Sequence, residues 1–428
     1  MNHRKRIPSI ATLAAALVLL AGPAIHAQEH ADAVPTHVQT SIQDLCYAAA
    51  CWHRSQAAVP LASVATMVTW AFADARIASE ARRAGIRTIA YLDPSIQYDP
   101  RRDVAPLVSG DETTYLRACD GSRARVRLGD LDGYFMDLGS PGYRTLLARY
   151  VAREVRPQYD ALFADDVFAA TDTFAEVIAA PCAHSFTAER DATFGAWKTA
   201  GIPIVFNGLG LAPDDGRVSE HAVAALDGPN VIGGMYEMCL TAFDEHTDHT
   251  LGHRRVDAAW RSVQNSHLAA IAHGKAFFCF AESPLDGASR AGIGDRTYTY
   301  ASFLIAYEPR YSVLQEALRS APSGVPVYPE TALVALAPLK TATGDIDTLR
   351  RGGAYAREFA RCYLAGMPIG PCAAVVNSSG TNTVPWPLAG YRAALALTGG
   401  SIPDGGRLRF AAAVPAALPP ATAAIVIR

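Results

Sequence analysis

Residues 159–168 read Tyr159-Asp160-Ala161-Leu162-Phe163-Ala164-Asp165-Asp166-Val167-Phe168. Four consecutive apolar residues stop on two carboxylates. A run this short and this continuously apolar is the mark of a strand buried on both faces. The same design recurs to either side of it. Such runs lie at Thr66–Phe72, Arg87–Leu92, Tyr134–Leu138, Ala161–Asp165, Ile202–Asn207, Val231–Glu237, Ala276–Ala281 and Tyr311–Leu314. Helix-like stretches separate most of them, among them Ala75–Ala84, Tyr143–Val155, Ala188–Ala200 and Val256–His273. Strand–helix alternation implies βαβ units on a parallel sheet. A doubly wound open sheet has the same local pattern. The count of eight favours the alternative, an α/β fold of the (β/α)8 TIM-barrel type over residues 60–325.

Residues 94–133 interrupt the rhythm with Asp, Arg, Gly and Pro. They read as a long excursion after the second expected strand, on the face of the barrel where active sites lie. From residue 326 to 428 short apolar runs such as Ala332–Leu339, Cys372–Asn377 and Ala423–Ile427 are spaced by Gly, Pro, Ser and Thr. That pattern predicts a small all-β C-terminal domain.

The barrel sets where chemistry is to be sought. The C-terminal ends of its strands converge on one mouth. The expected strands end at Asp93, Asp137, Asp165 with Asp166, Asn207, Glu237 preceded by Tyr236, and Glu282. One acid after an apolar run is usually a cap or loop residue. Six such endings on one rim suit acid–base work on a neutral polyol, or a hard cation held by oxygen ligands. Tyr91, Trp70, Tyr134 and Tyr236 are the aromatic residues nearby. Each is available to stack on a sugar, although barrel packing is the more frequent fate of such residues.

Other constellations are weaker. The stretch 244–253 carries His246, His249 and His253 among three acids, but its spacing matches no known metal pattern, so no metal is expected. No Gly-x-Ser-x-Gly elbow is present, and Ser283 and Ser302 lack a supporting motif. Gly208-Leu209-Gly210 is too short for a nucleotide fingerprint. No cofactor is expected.

The 428 residues carry 38 Lys+Arg against 41 Asp+Glu and are 50% hydrophobic. That is a folded globular composition, and the charge balance argues against a nucleic-acid partner. Arg4, Lys5 and Arg6, the apolar Ala11–Leu20 and small residues up to Ala27 form the layout of a cleavable signal peptide, 1–27. Residues 28–59 then read as a lead-in. No later run is long enough to span a membrane. The expectation is a secreted or periplasmic protein, whose even count of eight cysteines suggests disulfides. The expected pairs are Cys46 with Cys51, Cys119 with Cys182 and Cys362 with Cys372. Cys239 and Cys279, in apolar runs, are expected as buried thiols.

The stretch 159–168 resembles the strand-four motif of glycoside hydrolase-like family 15, which is related to glycoside hydrolase family 114, the endo-α-1,4-polygalactosaminidases. Ala90-Tyr91-Leu92-Asp93-Pro94, Tyr134-Phe135-Met136-Asp137-Leu138 and residues 300–307 are similar to the same family. Tyr236-Glu237-Met238-Cys239 resembles the family 114 strand with an acid before a Cys. The resemblance implies a barrel with acids on strands four and six, matching Asp165 and Glu237. On that basis Glu237 is the expected proton donor, with Asp165 as nucleophile or base and Asp166 as its neighbour in contention. Asp93, Asp137, Asn207 and Glu282 are expected to hold sugar hydroxyls or tune the pair. The expected partner is a polysaccharide or oligosaccharide substrate, with neutral or cationic sugars favoured by the acidic cleft and the related family. The competing reading is a cell-envelope barrel that binds polysaccharide without cleaving it. Carboxyl groups about 5 Å apart would mean retention of configuration, and about 6.5–9.5 Å inversion.

Overall fold

The computed structural model of the chain describes residues 35–44, 46–47, 50–51, 61–73, 75–97, 111–128, 131–167, 186–210, 215–242, 250–320 and 326–428. The expected signal segment 1–27 and Cys182 lie outside these residues.

Eight parallel strands close into a barrel. In chain order they are β1 (Gln39–Asp44), β2 (Trp70–Ala73), β3 (Arg87–Leu92), β4 (Ala161–Ala164), β5 (Ile204–Asn207), β6 (Val231–Glu237), β7 (Ala276–Asp286) and β8 (Ser312–Ser320). Closure comes from β1, which pairs with β8 on one side and β2 on the other.

The expected set of barrel strands is corrected in two places, by one strand gained and one lost. The strand gained is β1, which lies within the stretch expected as a lead-in. It reads Gln-Thr-Ser-Ile-Gln-Asp and has no apolar run to betray it. Polar contacts hold it instead, with Ser41 Oγ donating to Gln315 Oε1 on β8 at 2.9 Å. The strand lost is Tyr134–Leu138, which is not in the barrel. Leu131–Phe135 pairs antiparallel with Arg125–Leu128 and with Ile96–Gln97, making a three-stranded sheet within the excursion.

The barrel interior is one apolar cluster of Trp70, Phe72, Ile89, Ala161, Phe163, Val205, Met235, Phe278, Phe280 and Val313. Phe72 meets Phe163 edge-on at 5.2 Å, and Trp70 meets Phe278 at 6.0 Å. These residues come from alternate positions on each strand, because successive side chains point to opposite faces. The outward set, including Leu162, Ile204, Phe206, Phe277 and Leu314, packs with helix residues such as Trp197 and Trp260 in a second cluster.

The helices are α1 (Ala75–Arg83), α2 (Pro141–Tyr150), α3 (Phe186–Ala200), α4 (Glu220–Leu226), α5 (Asp257–Ala272) and α6 (Arg290–Ala306). Ser140, Ser219 and Ser289 cap α2, α4 and α6, each accepting from a backbone N–H in the first turn. Helix α6 is buried on every face from Tyr298 to Ala306. It contacts barrel strand β7 and also the C-terminal sheet, so it has no solvent side to keep polar.

That sheet is antiparallel and all-β. Its main strands are β9 (Leu333–Pro338), β10 (Ala354–Leu364), β11 (Met367–Asn377), β12 (Ala393–Thr398), β13 (Arg407–Ala412) and β14 (Thr422–Ile427). They lie in the order β9-β10-β11-β14-β12-β13. Arg357 on β10 donates to the carbonyls of Ile305 and Tyr307, satisfying the open C-terminal end of α6. Arg296 on α6 is paired with Glu330, both side chains fully buried, and also donates to Gly399 O.

Cys362 is bonded to Cys372 across the β10–β11 ladder. Cys46 and Cys51 are opposite each other on a two-residue ladder, and Cys119 is disulfide-bonded. Cys239 and Cys279 are a disulfide rather than two thiols, with Cα atoms 5.5 Å apart. The neighbouring register of β6 and β7, Tyr236 opposite Cys279, brings them together. No helix of the described residues is long and apolar enough to cross a membrane.

Candidate active site

Positions 91, 165, 207, 237 and 282 continue the inward parity of the barrel interior beyond its last apolar layer. The backbone turns away directly after three of them. Asp166 has φ 49°, Met238 φ 50° and Gly208 φ 142°. Each strand therefore stops just where its last inward side chain reaches the mouth.

Four of these side chains, Tyr91, Asp165, Asn207 and Glu237, form one hydrogen-bonded network. Tyr91 Oη donates to Asp165 Oδ2 at 2.7 Å. Asn207 Nδ2 donates to Asp165 Oδ1 at 2.9 Å and to Glu237 Oε2 at 2.8 Å. The backbone N–H of Asp166 also donates to Asp165 Oδ1, at 3.0 Å. Asp165 thus accepts three hydrogen bonds, two from side chains and one from backbone. Bonds of 2.9 and 2.8 Å to one nitrogen cap the distance between Asp165 Oδ1 and Glu237 Oε2 at about 5.7 Å, the straight-line limit.

The surroundings of Glu237 and Glu282 raise both acids. Glu237 is open to solvent at the mouth, yet protein crowds around its carboxylate. That crowding, and then the charge of Asp165, pushes it up to about 7. Glu282 is 8% exposed. Burial first, and Glu237 second, push it also to about 7. Asp165 accepts three hydrogen bonds, while Glu237 has only the Asn207 amide among its described partners.

Asp93 and Asp166 stand beside Asp165. Asp93 is buried, and its Oδ1 accepts from Ser95 N and Ile96 N at 2.9 and 2.8 Å. Burial, then Asp166, then Asp165 raise Asp93 well above the usual carboxylate range. Asp166 is raised likewise, by burial and then by Asp165.

Two sequence expectations, those for Asp137 and Tyr236, are corrected here. Asp137 ends no barrel strand. It lies in the turn before α2, where its Oδ1 accepts from Gly139 N at 2.8 Å. Tyr236 is fully buried and points out of the barrel, because it neighbours the inward Glu237. It packs against Phe277 with ring centroids 6.3 Å apart, so it has no face for a sugar. Trp70 is a barrel-interior residue, packed on Phe278 and covered by Arg87 at 3.8 Å. Tyr134 packs edge-on against Tyr115 in the excursion.

Tyr91 was considered only as a stacking ring. Its position two residues before Asp93 on the same strand face is the sequence signal for its inward placement. Ser283 and Ser302 are buried structural hydroxyls. Ser283 donates to Asp295, and Ser302 accepts from Trp260. Most of the stretch 244–253 lies outside the described residues, and no cluster with metal-holding geometry occurs among the described ones.

No protein-family model matches the sequence, and no curated protein matches it. Solved structures are similar to it in part. The glycoside hydrolase domain of PelA from Pseudomonas aeruginosa is 17% identical with a TM-score of 0.43, covering 65% of this chain and 94% of that one. The Aspergillus fumigatus protein Ega3, in complex with galactosamine, is 10% identical with a TM-score of 0.39, covering 67% and 93%. A mutant of trehalulose synthase MutB is 8% identical with a TM-score of 0.42, covering 92% and 99%.

Proposed function

We propose that the chain is an exported glycoside hydrolase acting on a polysaccharide, with Asp165 as nucleophile and Glu237 as general acid. The observation that carries this reading is the shared Asn207 nitrogen, which holds the two carboxyl groups within about 5.7 Å of each other. Glycosidases that retain configuration have their carboxyl groups about 5–5.5 Å apart, whereas inverting enzymes leave room for a water at about 6.5–9.5 Å. The spacing supports retention.

The chemistry follows from the asymmetry of the pair. Asp165, held in place by three accepted hydrogen bonds, attacks the anomeric carbon. The glycosidic C–O bond breaks, its electron pair goes to the departing oxygen, and Glu237 supplies the proton. Water then attacks the glycosyl–Asp165 ester. The Glu237 carboxylate takes the water proton, and Asp165 leaves as the free anion. Glu282, mostly buried and itself raised by burial and by the charge of Glu237, is the acid that would meet sugar hydroxyls. No cofactor is required by this sequence of steps.

The test is release of reducing ends from a panel of secreted and envelope polysaccharides. The wild type is compared with Asp165→Asn and Glu237→Gln. Hydrolysis by the wild type and loss in both variants is the expected result. Binding without any reducing ends released by the wild type would leave the non-catalytic reading and end this one.

A further inference from the structure

Glu237 stands at the head of a turn that is held from its far side. The next residue, Met238, has a φ of 50°, in the left-handed region. A residue with a Cβ adopts that conformation at a cost and keeps it where its surroundings enforce it. The Met238 carbonyl accepts from Arg255 Nε at 2.6 Å, a hydrogen bond from a charged donor and so of the stronger kind. The backbone N–H of Arg255 donates to the carbonyl of Leu240 at 3.0 Å. Its own carbonyl accepts from Tyr298 Oη on α6 at 2.6 Å. Arg255 thus grips two carbonyls of the chain leaving Glu237 and is itself gripped by α6.

Its neighbour Arg254 reaches the C-terminal sheet. The two arginines form one strand of a hairpin with Thr250 and Leu251. Arg254 Nη1 donates to the carbonyl of Ala421, the residue before β14, at 2.8 Å. Its Nε donates to Asp295 Oδ1 on α6 at 2.8 Å. Asp295 is buried, and its Oδ2 accepts from Ser283 Oγ at 2.8 Å. Ser283 follows Glu282 on β7, and the Glu282 N–H donates at 3.1 Å to Thr241, which is bridged to Arg254. Just beyond the arginines, Asp257 N donates to the carbonyl of Ser378, the residue after β11, at 2.7 Å. Ordering an arginine side chain costs conformational entropy. Two in succession are ordered here, one on the turn after Glu237 and one on the C-terminal sheet.

We propose that Arg254 and Arg255 are positioning residues, through which the C-terminal sheet holds Glu237 in place for its proton transfer. Arg255 fixes the turn, and Arg254 fixes the strand of Arg255 to Ala421 and Asp295. The assignment rests on the reading of Glu237 as general acid. It gives the all-β domain a part in turnover without any contact with substrate. The charged groups that act on or answer to the Glu237 carboxyl are Asp165 and Glu282, both acids. Crowding by protein is the first cause of its raised position, so a released turn exposes the carboxyl group and lets it titrate lower.

The test uses Arg255→Ala, Arg255→Lys, Arg254→Lys and Gly294→Ala in the full chain. Lysine at 255 keeps one charged donor for the Met238 carbonyl. Lysine at 254 keeps the charge but lacks the fork that serves Ala421 and Asp295 at once. A Cβ at Gly294, inside α6, would overlap the Arg254 guanidinium and so displace it. Alanine is otherwise favoured over glycine in a helix interior, so Gly294→Ala separates positioning from stability. The first measurement is the titration of Glu237, followed by carboxyl carbon NMR of glutamate-labelled protein and assigned through Glu237→Gln. The second is kcat and KM on a polysaccharide that the wild type cleaves.

In Arg255→Ala the Glu237 titration should move down from about 7 towards 4.5. Its kcat should fall about 10²-fold, the order expected for a displaced reacting group, with KM unchanged. Arg255→Lys should restore most of both. Arg254→Lys and Gly294→Ala should shift the titration in the same direction and lower kcat about 2- to 30-fold, the range of couplings carried through intervening residues. Gly294→Ala should do so with a melting temperature no lower than the wild type. A Glu237 titration that stays put or moves up in Arg255→Ala overturns the role of Arg255, since loss of a nearby positive charge alone moves it up. An unchanged titration and kcat in both Arg254→Lys and Gly294→Ala overturn the role of the C-terminal sheet. If Arg255→Ala does not fold, the other three variants decide. If the wild type cleaves no polysaccharide, the hydrolase reading fails, while the titrations still judge the positioning.

Discussion

Asp165 and Glu237 hang from one nitrogen atom, the Nδ2 of Asn207, at 2.9 and 2.8 Å. A primary amide has two N–H groups, and here each serves one acid. The two carboxyl groups come from β4 and β6, and the strand between them supplies the tie. Neighbouring order in a parallel barrel makes this arrangement possible, since β5 lies between β4 and β6 in the sheet.

Removing that tie should cost turnover rather than fold. Asn207→Ala frees both acids from their common partner, and a misplacement of about 1 Å is enough to lose roughly 10²-fold in rate. The expected outcome is a kcat reduced by about that factor, with a thermal midpoint close to the wild type. Steady-state kinetics on a cleaved polysaccharide and a melting curve check both halves.

Tyr91→Phe removes one donor from an ionised Asp165 and leaves the ring in place. A hydrogen bond to a charged group contributes about 1.5–3 kcal/mol. The corresponding fall in kcat/KM is about 10- to 10²-fold. A phenylalanine variant as active as the wild type would mean that the Tyr91 hydroxyl does not support the nucleophile.

Activity should decline as pH rises through about 7, the value to which crowding and Asp165 push Glu237, because the general acid must carry its proton. The stability linkage has the same direction. Between its usual value of 4.5 and about 7 the folded chain keeps the Glu237 proton that the unfolded chain has lost, so stability falls with rising pH across that window. Glu237→Gln removes the titration. Its melting temperature relative to the wild type should therefore increase from pH 5 to pH 8, and a constant difference would refute the raised acid.

The Cys239–Cys279 bridge closes a loop with a sequence separation of 40. A cross-link of that span restricts the unfolded chain by about 4 kcal/mol on the loop-entropy model. The double Cys→Ser variant should lose stability of that order in denaturant titrations. Because Cys239 stands two residues after Glu237, the variant should also lose kcat.

The strands flanked by helices on the outside and the packed interior within were readable, because burial on both faces writes a continuous apolar run. Asp165, Asn207, Glu237 and Glu282 were readable for the same reason, as polar residues that end such runs. The run Tyr134–Leu138 misled because an excursion sheet packed on one side also gathers apolar residues. Strand β1 was invisible because its side chains meet polar partners such as Gln315, which no local pattern announces. Tyr236 differs from Glu237 by one residue, and in a strand that is the difference between the outer face and the mouth.

The amino-acid order by itself determined that this chain alternates strands with helices, that acids terminate several strands, and that an all-β segment follows. Those properties are local, written in runs of a few residues. Only the closed barrel decided that Asn207 joins Asp165 to Glu237, that Tyr91 reaches Asp165, and that Cys239 meets Cys279. Each of these is a contact between residues tens of positions apart, set by strand order and register, which only assembly of the whole sheet establishes.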